Sequence, residues 1–444
     1  MNQWDLVLAG GYLCDPANNL EGYYDLAIQN GKIAKVAPEI STRAAKEVIG
    51  LKGKAVVPGV IDSHIHFSHR SPEGLRMVAQ TGVVTAIDFS GDREEIQKAI
   101  DENNAFGINI GFLKPAIPKR TLSSVDPGEK ELAAFLDSAQ REGALGIKLL
   151  GGHYPLTPEA VRNLIRLAAK EKVFAASHVG TTRCGSNVDG LAETISLAEG
   201  NPLYIAHLQS YCRMQTGKDP VMEAMRAIEL VKKAENIRSE SYIYLYNGTS
   251  GRCTGGIPDS HVTRTCLSMG GFPATEDGIF QAIHSGYAYV HIPRGGEIIK
   301  STGPEAASYW REQGTNAGLS FPANSLSAAI AIALAKDGGR FVVDVLSTDG
   351  GSIPRNKLIE NGLALVRIGA FNLSEFVEKT AVNPAKIFNL EGKGHLGVGA
   401  DADVTVLDLE KGEAYLSIAR VRLVMVDGLV VGSGGYFLRG KAGA

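Results

Sequence analysis

The sequence predicts an α/β protein, a (β/α)8 TIM-type barrel carrying a small discontinuous β domain built from both chain ends. Three observations predict it. Between about residues 59 and 390, apolar runs alternate with amphipathic helical stretches, the pattern of a parallel sheet clad in helices. Eight of the runs read as strands, the number that closes such a barrel. On both flanks the helices vanish and short alternating strands with turn dipeptides take over. The expected limits are 1–56 and 393–444 for the two parts of the β domain and 57–392 for the barrel.

In order, DLVLAGGYLCD, DLAIQNGKIAKVA and AKEVIGLKGKAV alternate apolar and polar residues, with Asn30-Gly31 as a strong hairpin signal. VVPGVIDSHIHF, Val56 to Phe67, is a β-branched run broken once by Pro58-Gly59 and ending in His64-Ile65-His66. Further strands are expected over 83–89, 106–113, 145–150, 173–179, 202–208, 241–246 and 342–349. TPEAVRNLIRLAAKEK and DPVMEAMRAIELVKKAEN are clear intervening helices, and YAYVHI (Tyr287 to Ile292) is placed in an insertion over 250–325. HLGVGADADVTVLDL and RVRLVMVDGLVVGSGGYFL, with the turn Asp427-Gly428, return the chain to β structure.

The bulk numbers exclude some classes. With 45 Lys+Arg against 48 Asp+Glu, and no basic block, nothing argues for nucleic acid. No apolar run is long enough for a membrane helix, and the N-terminus lacks a secretory pattern. Five scattered cysteines without a CxxC pair suit a reducing, cytoplasmic setting. The expected partner is a small-molecule substrate, and homo-oligomerisation stays open.

On a strand, His64 and His66 share one face, where two imidazoles can hold one divalent metal. Four other strand ends offer candidates: Lys148 in LGIKLL, His178 in AASHVG, His207 in YIAHLQ and Asp349 in LSTDGG. Barrel chemistry sits at those ends. Each alone has a bland explanation, a structural histidine or a turn aspartate. Together they gather six metal-compatible residues, and a lysine inside an apolar strand is costly without a role.

HIH after an apolar strand, a strand lysine, two strand-end histidines and a late aspartate resemble the amidohydrolase superfamily, and the likeness spans nearly the whole chain. The resemblance implies a two-metal site, with zinc the expected ion. His64, His66 and Asp349 would hold the more buried metal and His178 and His207 the second. A CO2-derived carbamate on Lys148 would bridge the two. It also implies a metal-bridged hydroxide as nucleophile, with Asp349 as the catalytic proton carrier. His153 and Tyr154 after the lysine strand, and Arg183 after His178, are expected to face substrate, Arg183 gripping a carboxylate. His69 and Arg70 are further candidates. Asp62 is expected to support the ligands, and His261, His284, His291 and His395 to be structural or superficial.

The lysine argues against one-metal deaminases. Dihydroorotases usually carry an arginine two residues past HxH, where this chain has Ser68. AHLQSYCRMQTGKDPVMEAMRAIELVKKAENIRSESYIYLYNGTSG and GAFNLSEFVEKTAVNPAKIFNLEGKGHLGVGADADVTVLD look like segments of N-acyl-D-amino-acid deacylases (D-aminoacylases). Many of those bridge their metals with a cysteine at another position, a departure here. The expected reaction is therefore hydrolysis of a small N-acyl D-amino acid, ahead of cyclic amides of the hydantoinase or dihydroorotase kind or dipeptides. A metal-free scaffold homologue is the non-enzymatic alternative.

Overall fold

A computed structural model describes residues 3–68 and 71–440. His69 and Arg70 lie outside the described residues. The barrel strands are β1 (Val60–His66), β2 (Val83–Asp88), β3 (Asn109–Ala116), β4 (Gly146–Leu150), β5 (Phe174–His178), β6 (Leu203–Ile205) and β7 (Ile237–Ser241). The eighth, β8, is split into Val345–Leu346 and Gly350–Gly351. Neighbours run parallel in chain order. The two halves of β8 close the ring, Ser241 pairing with Leu346 and Gly351 with His66. The α/β barrel expected from the alternation is the observed fold.

Helices α1 (Glu73–Gln80), α2 (Arg93–Asp101), α3 (Glu129–Arg141), α4 (Pro158–Lys170), α5 (Val188–Ala198) and α6 (Pro220–Lys232) follow the first six strands. Their starts are written locally. Thr157 and Asp219 cap α4 and α6 by accepting from the N–H groups of Ala160 and Val221, ahead of Pro158 and Pro220. Leu164, Ile165 and Ala168 of α4 are buried in the main core with Leu191 of α5.

The flanking segments join in one nine-stranded sheet. Ala55–Pro58 pairs with Leu13 and Tyr12 on one side and, antiparallel, with Val404–Asp408 on the other. Gly59 then carries the chain into β1; a Cβ there would sit 2.9 Å from that of Asp403. Both turn dipeptides make hairpins, with Asn30, Gly31, Asp427 and Gly428 all at positive φ. Tyr436–Phe437, within the segment assigned to the β domain, runs instead beside β3.

One strand expectation needs correcting. The seventh strand is IRSES, not the apolar SYIYLY, which leaves the sheet. Its period is hidden because Ser239, Glu240 and Ser241 are buried polar residues. The insertion follows: a four-stranded sheet (Thr249–Ser250, Tyr289–Arg294, Glu297–Ser301, Gly318–Ser320) with helices over 261–269, 276–284 and 304–312. It owns a separate core around Trp310, Leu319 and Phe321. Among the described residues no helix is long and apolar enough to cross a membrane.

Candidate metal centre

All six candidate ligands line one cavity of about 1490 Å3, at the C-terminal ends of the barrel strands. β1 presents His64 and His66 on the same face, as the period of two requires. Their Nε2 atoms lie 3.2 Å apart, and Asp349 Oδ1 is 3.3 Å from one and 3.0 Å from the other. A tetrahedral ion bound at 2.0–2.1 Å sets neighbouring ligand atoms about 3.3 Å apart. The triangle has that size.

The opposite ring nitrogens are tied off. His66 Nδ1 meets Ser90 Oγ at 2.8 Å. His64 Nδ1 meets the carboxylate of Glu240, which is fully buried. Glu240 also accepts from the hydroxyls of Ser63 (3.1 Å) and Tyr204 (3.0 Å) and from the His207 backbone N–H (3.3 Å). Burial alone would raise this carboxyl, but His64 and Lys148 outweigh it and hold it below its ordinary value. Burial pushes His64 down to about 4, so its Nε2 keeps a lone pair.

Asp349 sits in the gap of β8 at φ 51, a left-handed position that turns it inward. Its other oxygen pairs with Arg355, which also donates from Nε to the Asp349 carbonyl at 2.7 Å. Burial opposes ionisation, yet Arg355, His64 and His66 hold the carboxyl well below its usual range. Asp62 supports the gap from β1, accepting the Thr348 N–H (3.1 Å) and hydroxyl (2.5 Å).

On the other side, the rings of His178 and His207 are 4.4 Å apart by centroid. His178 Nε2 is held by Ser186 Oγ at 2.8 Å. His207 is also left-handed, at φ 35. Among the described residues two buried polar atoms of this cluster have no hydrogen-bond partner, Lys148 Nζ and His207 Nδ1. Burial brings the lysine down to about 7, against the pull of Glu240 and Asp349. Orphans of this kind are what unbound ligand atoms look like. His64, His66 and Asp349 fit one metal ion, and Lys148, His178 and His207 lie on the same cavity beside them.

His153 and Tyr154 line this cavity and a second of about 660 Å3. Arg183 borders only the second, two-thirds exposed, its Nε on Glu193 at 2.6 Å. His291 lines the main cavity, with Nε2 2.7 Å from Ser320 Oγ, and His261 the second. Sequence reading missed Glu240 and Arg355. A strand assignment for IRSES would have exposed the first; GGSIPRNK carries no signal for the second.

An amidohydrolase family model matches residues 290–431. Dihydroorotases of Trichlorobacter lovleyi and Lactococcus lactis subsp. lactis are 24% and 25% identical, covering 92% and 93% of this chain and 90% and 93% of their own. The family model and these relatives alike mark the chain as similar to amidohydrolases. Amidohydrolase folds of known structure match it end to end. A D-aminoacylase superposes with a TM-score of 0.70 at 16% identity, covering 99% of this chain and 100% of that one. The N-acyl-D-glutamate deacylase of Bordetella bronchiseptica gives 0.70 at 17% over 98% and 99%, and a D-hydantoinase 0.59 at 19% over 99% and 100%.

Proposed function

We propose that this protein is a metal-dependent hydrolase cleaving the C–N amide bond of a small N-acyl D-amino acid. The observation that carries the reading is the convergence of His64, His66, Lys148, His178, His207 and Asp349 on one cavity with two ligand atoms unpartnered. His64, His66 and Asp349 would hold one divalent metal, zinc in the first instance, and His178 and His207 a second. Lys148 would join them as a CO2-derived carbamate, a modification that needs the neutral amine its burial favours. Such a pair supplies an activated water and polarises a carbonyl.

The chain's own groups do the rest. Glu240 and Ser90 fix the tautomers that aim both Nε2 atoms inward. Asp349 carries a proton from the attacking water to the leaving nitrogen. The insertion contributes Thr249, Val262 and Ile298 to the cavity lining. One similar structure, a D-aminoacylase, has a binuclear metal centre, and the deacylase was complexed with zinc and a phosphonate inhibitor. Both fit this chain better than the hydantoinase does, which favours acyclic substrates.

The dihydroorotase relatives support a second reading, a cyclic amide substrate. A hydrolysis screen of zinc-loaded protein separates them, using N-acetyl-D- and L-amino acids, dipeptides, hydantoin and dihydroorotate. Turnover of D-acyl substrates is expected. Turnover of rings alone overturns the acyl reading, and purified protein without stoichiometric metal overturns the hydrolase mechanism.

A further inference from the structure

Arg213 is buried, with 7% of its surface exposed, and it lines both the metal-bearing cavity and the second cavity beside it. It lies six residues beyond His207, after the short turn Leu208–Tyr211. Asn324, at the far end of the insertion, accepts from its Nε (3.0 Å) and from one terminal nitrogen (2.8 Å). Asn324 is itself fixed, its amide donating to Tyr242 Oη and the Tyr244 carbonyl, each at 3.0 Å. The guanidinium is thus held in one orientation by neutral groups.

Among the described residues no carboxylate forms an ion pair with Arg213. Glu223, the buried acid nearby in sequence, is spent on the N–H groups of Met214 and Thr216, each at 2.9 Å. A buried cation without an anion is expensive, and folds rarely keep one that nothing answers. Arg355, the other buried arginine at this end of the barrel, has Asp349. Arg183 has Glu193 and is largely in solvent.

We infer that Arg213, oriented by Asn324, is the binding site for the carboxylate of the substrate, at the neck where the two cavities meet. The inference rests on the amide-hydrolase reading for the substrate class, but not on hydrolysis for its test. A carboxylate seated there completes the ion pair the fold leaves open. The acyl amide then lies on the metal side, and the second cavity, with Thr265 and Cys266 on its wall, is left for the amino-acid substituent. Arg213 is thereby a determinant of charge specificity.

Metal-free full-length protein is titrated with N-acetylglycine and with N-acetylglycinamide, which differ in the carboxylate alone. Wild type is expected to prefer the acid by roughly ten- to a hundredfold. Arg213→Met should bind the two alike, Arg213→Lys should keep a reduced preference, and Asn324→Ala should lower it with Arg213 intact. Should the methionine variant not fold, the lysine and alanine variants carry the comparison. Equal binding of acid and amide by wild type, or an undiminished preference in the folded variants, overturns the assignment. A preserved carboxylate preference in a protein that hydrolyses no acyl amino acid would instead leave Arg213 standing and remove the proposed reaction.

Discussion

At Lys148 burial favours the neutral amine, the form CO2 can cap, and among the described residues its Nζ has no hydrogen-bond acceptor. Lys148→Ala should therefore lose at least one metal ion and most activity, with partial return of both on adding short carboxylic acids. Full metal content in that variant, measured by elemental analysis, would remove the bridging role. Glu240→Gln tests the support of His64. An amide cannot accept from the Nδ1–H and the two hydroxyls as the carboxylate does, so metal affinity should fall about ten- to a hundredfold. Chelator competition measures this, and unchanged affinity would mean that His64 is oriented some other way. Asp349→Asn should retain most metal while kcat falls on the order of 10²–10⁴. Its melting temperature should also drop, since Arg355 loses its anion.

Among the elements, the π-helical segment Glu378–Val382 carries a second buried lysine, Lys379, which donates to the Val343 carbonyl at 2.5 Å. Burial lowers it to about 7, with Asp344 and Glu378 pulling the other way. In the unfolded chain a lysine titrates near 10.4. Between those values the unfolded state holds the extra proton, so this group makes stability rise with pH, by at most ~1.4 kcal/mol per unit. The cost is complete below about 7 and gone above the unfolded value. Urea melts at pH 7.5 and 9.5 should show wild type gaining on Lys379→Met as pH rises. Parallel curves would place the lysine's charge outside the core. The hairpin at Asn30-Gly31 illustrates the opposite case, an element whose turn is set by two residues and positive φ alone.

Across the whole molecule, the insertion is a small folded unit on the barrel mouth rather than a long loop. Its core is distinct from that of the barrel, with Trp310 at its centre and fully buried. Trp310→Ala should cost about 3–5 kcal/mol, the usual range for emptying a buried aromatic site, and the loss should fall on the insertion. Metal content should persist, since every candidate ligand lies on a barrel strand or just past one, while KM rises as the mouth loosens. Loss of metal together with substrate affinity would show that the two units fold as one.

How much of this was legible depends on range along the chain. The barrel class, the split β domain and both hairpins follow from local patterns: a period of two, a period of 3.6 and turn dipeptides. The candidate ligands stand out because histidine, lysine and aspartate at the ends of apolar strands are chemically conspicuous. Tertiary structure alone decided their partners. Glu240 sits in a strand whose buried face is polar, and so it shows no hydrophobic period. Arg355 and Arg213 lie in irregular segments and take their meaning from Asp349 and Asn324, distant or unpatterned in sequence. Burial of charge is settled by what folds around a side chain, and no local period encodes that.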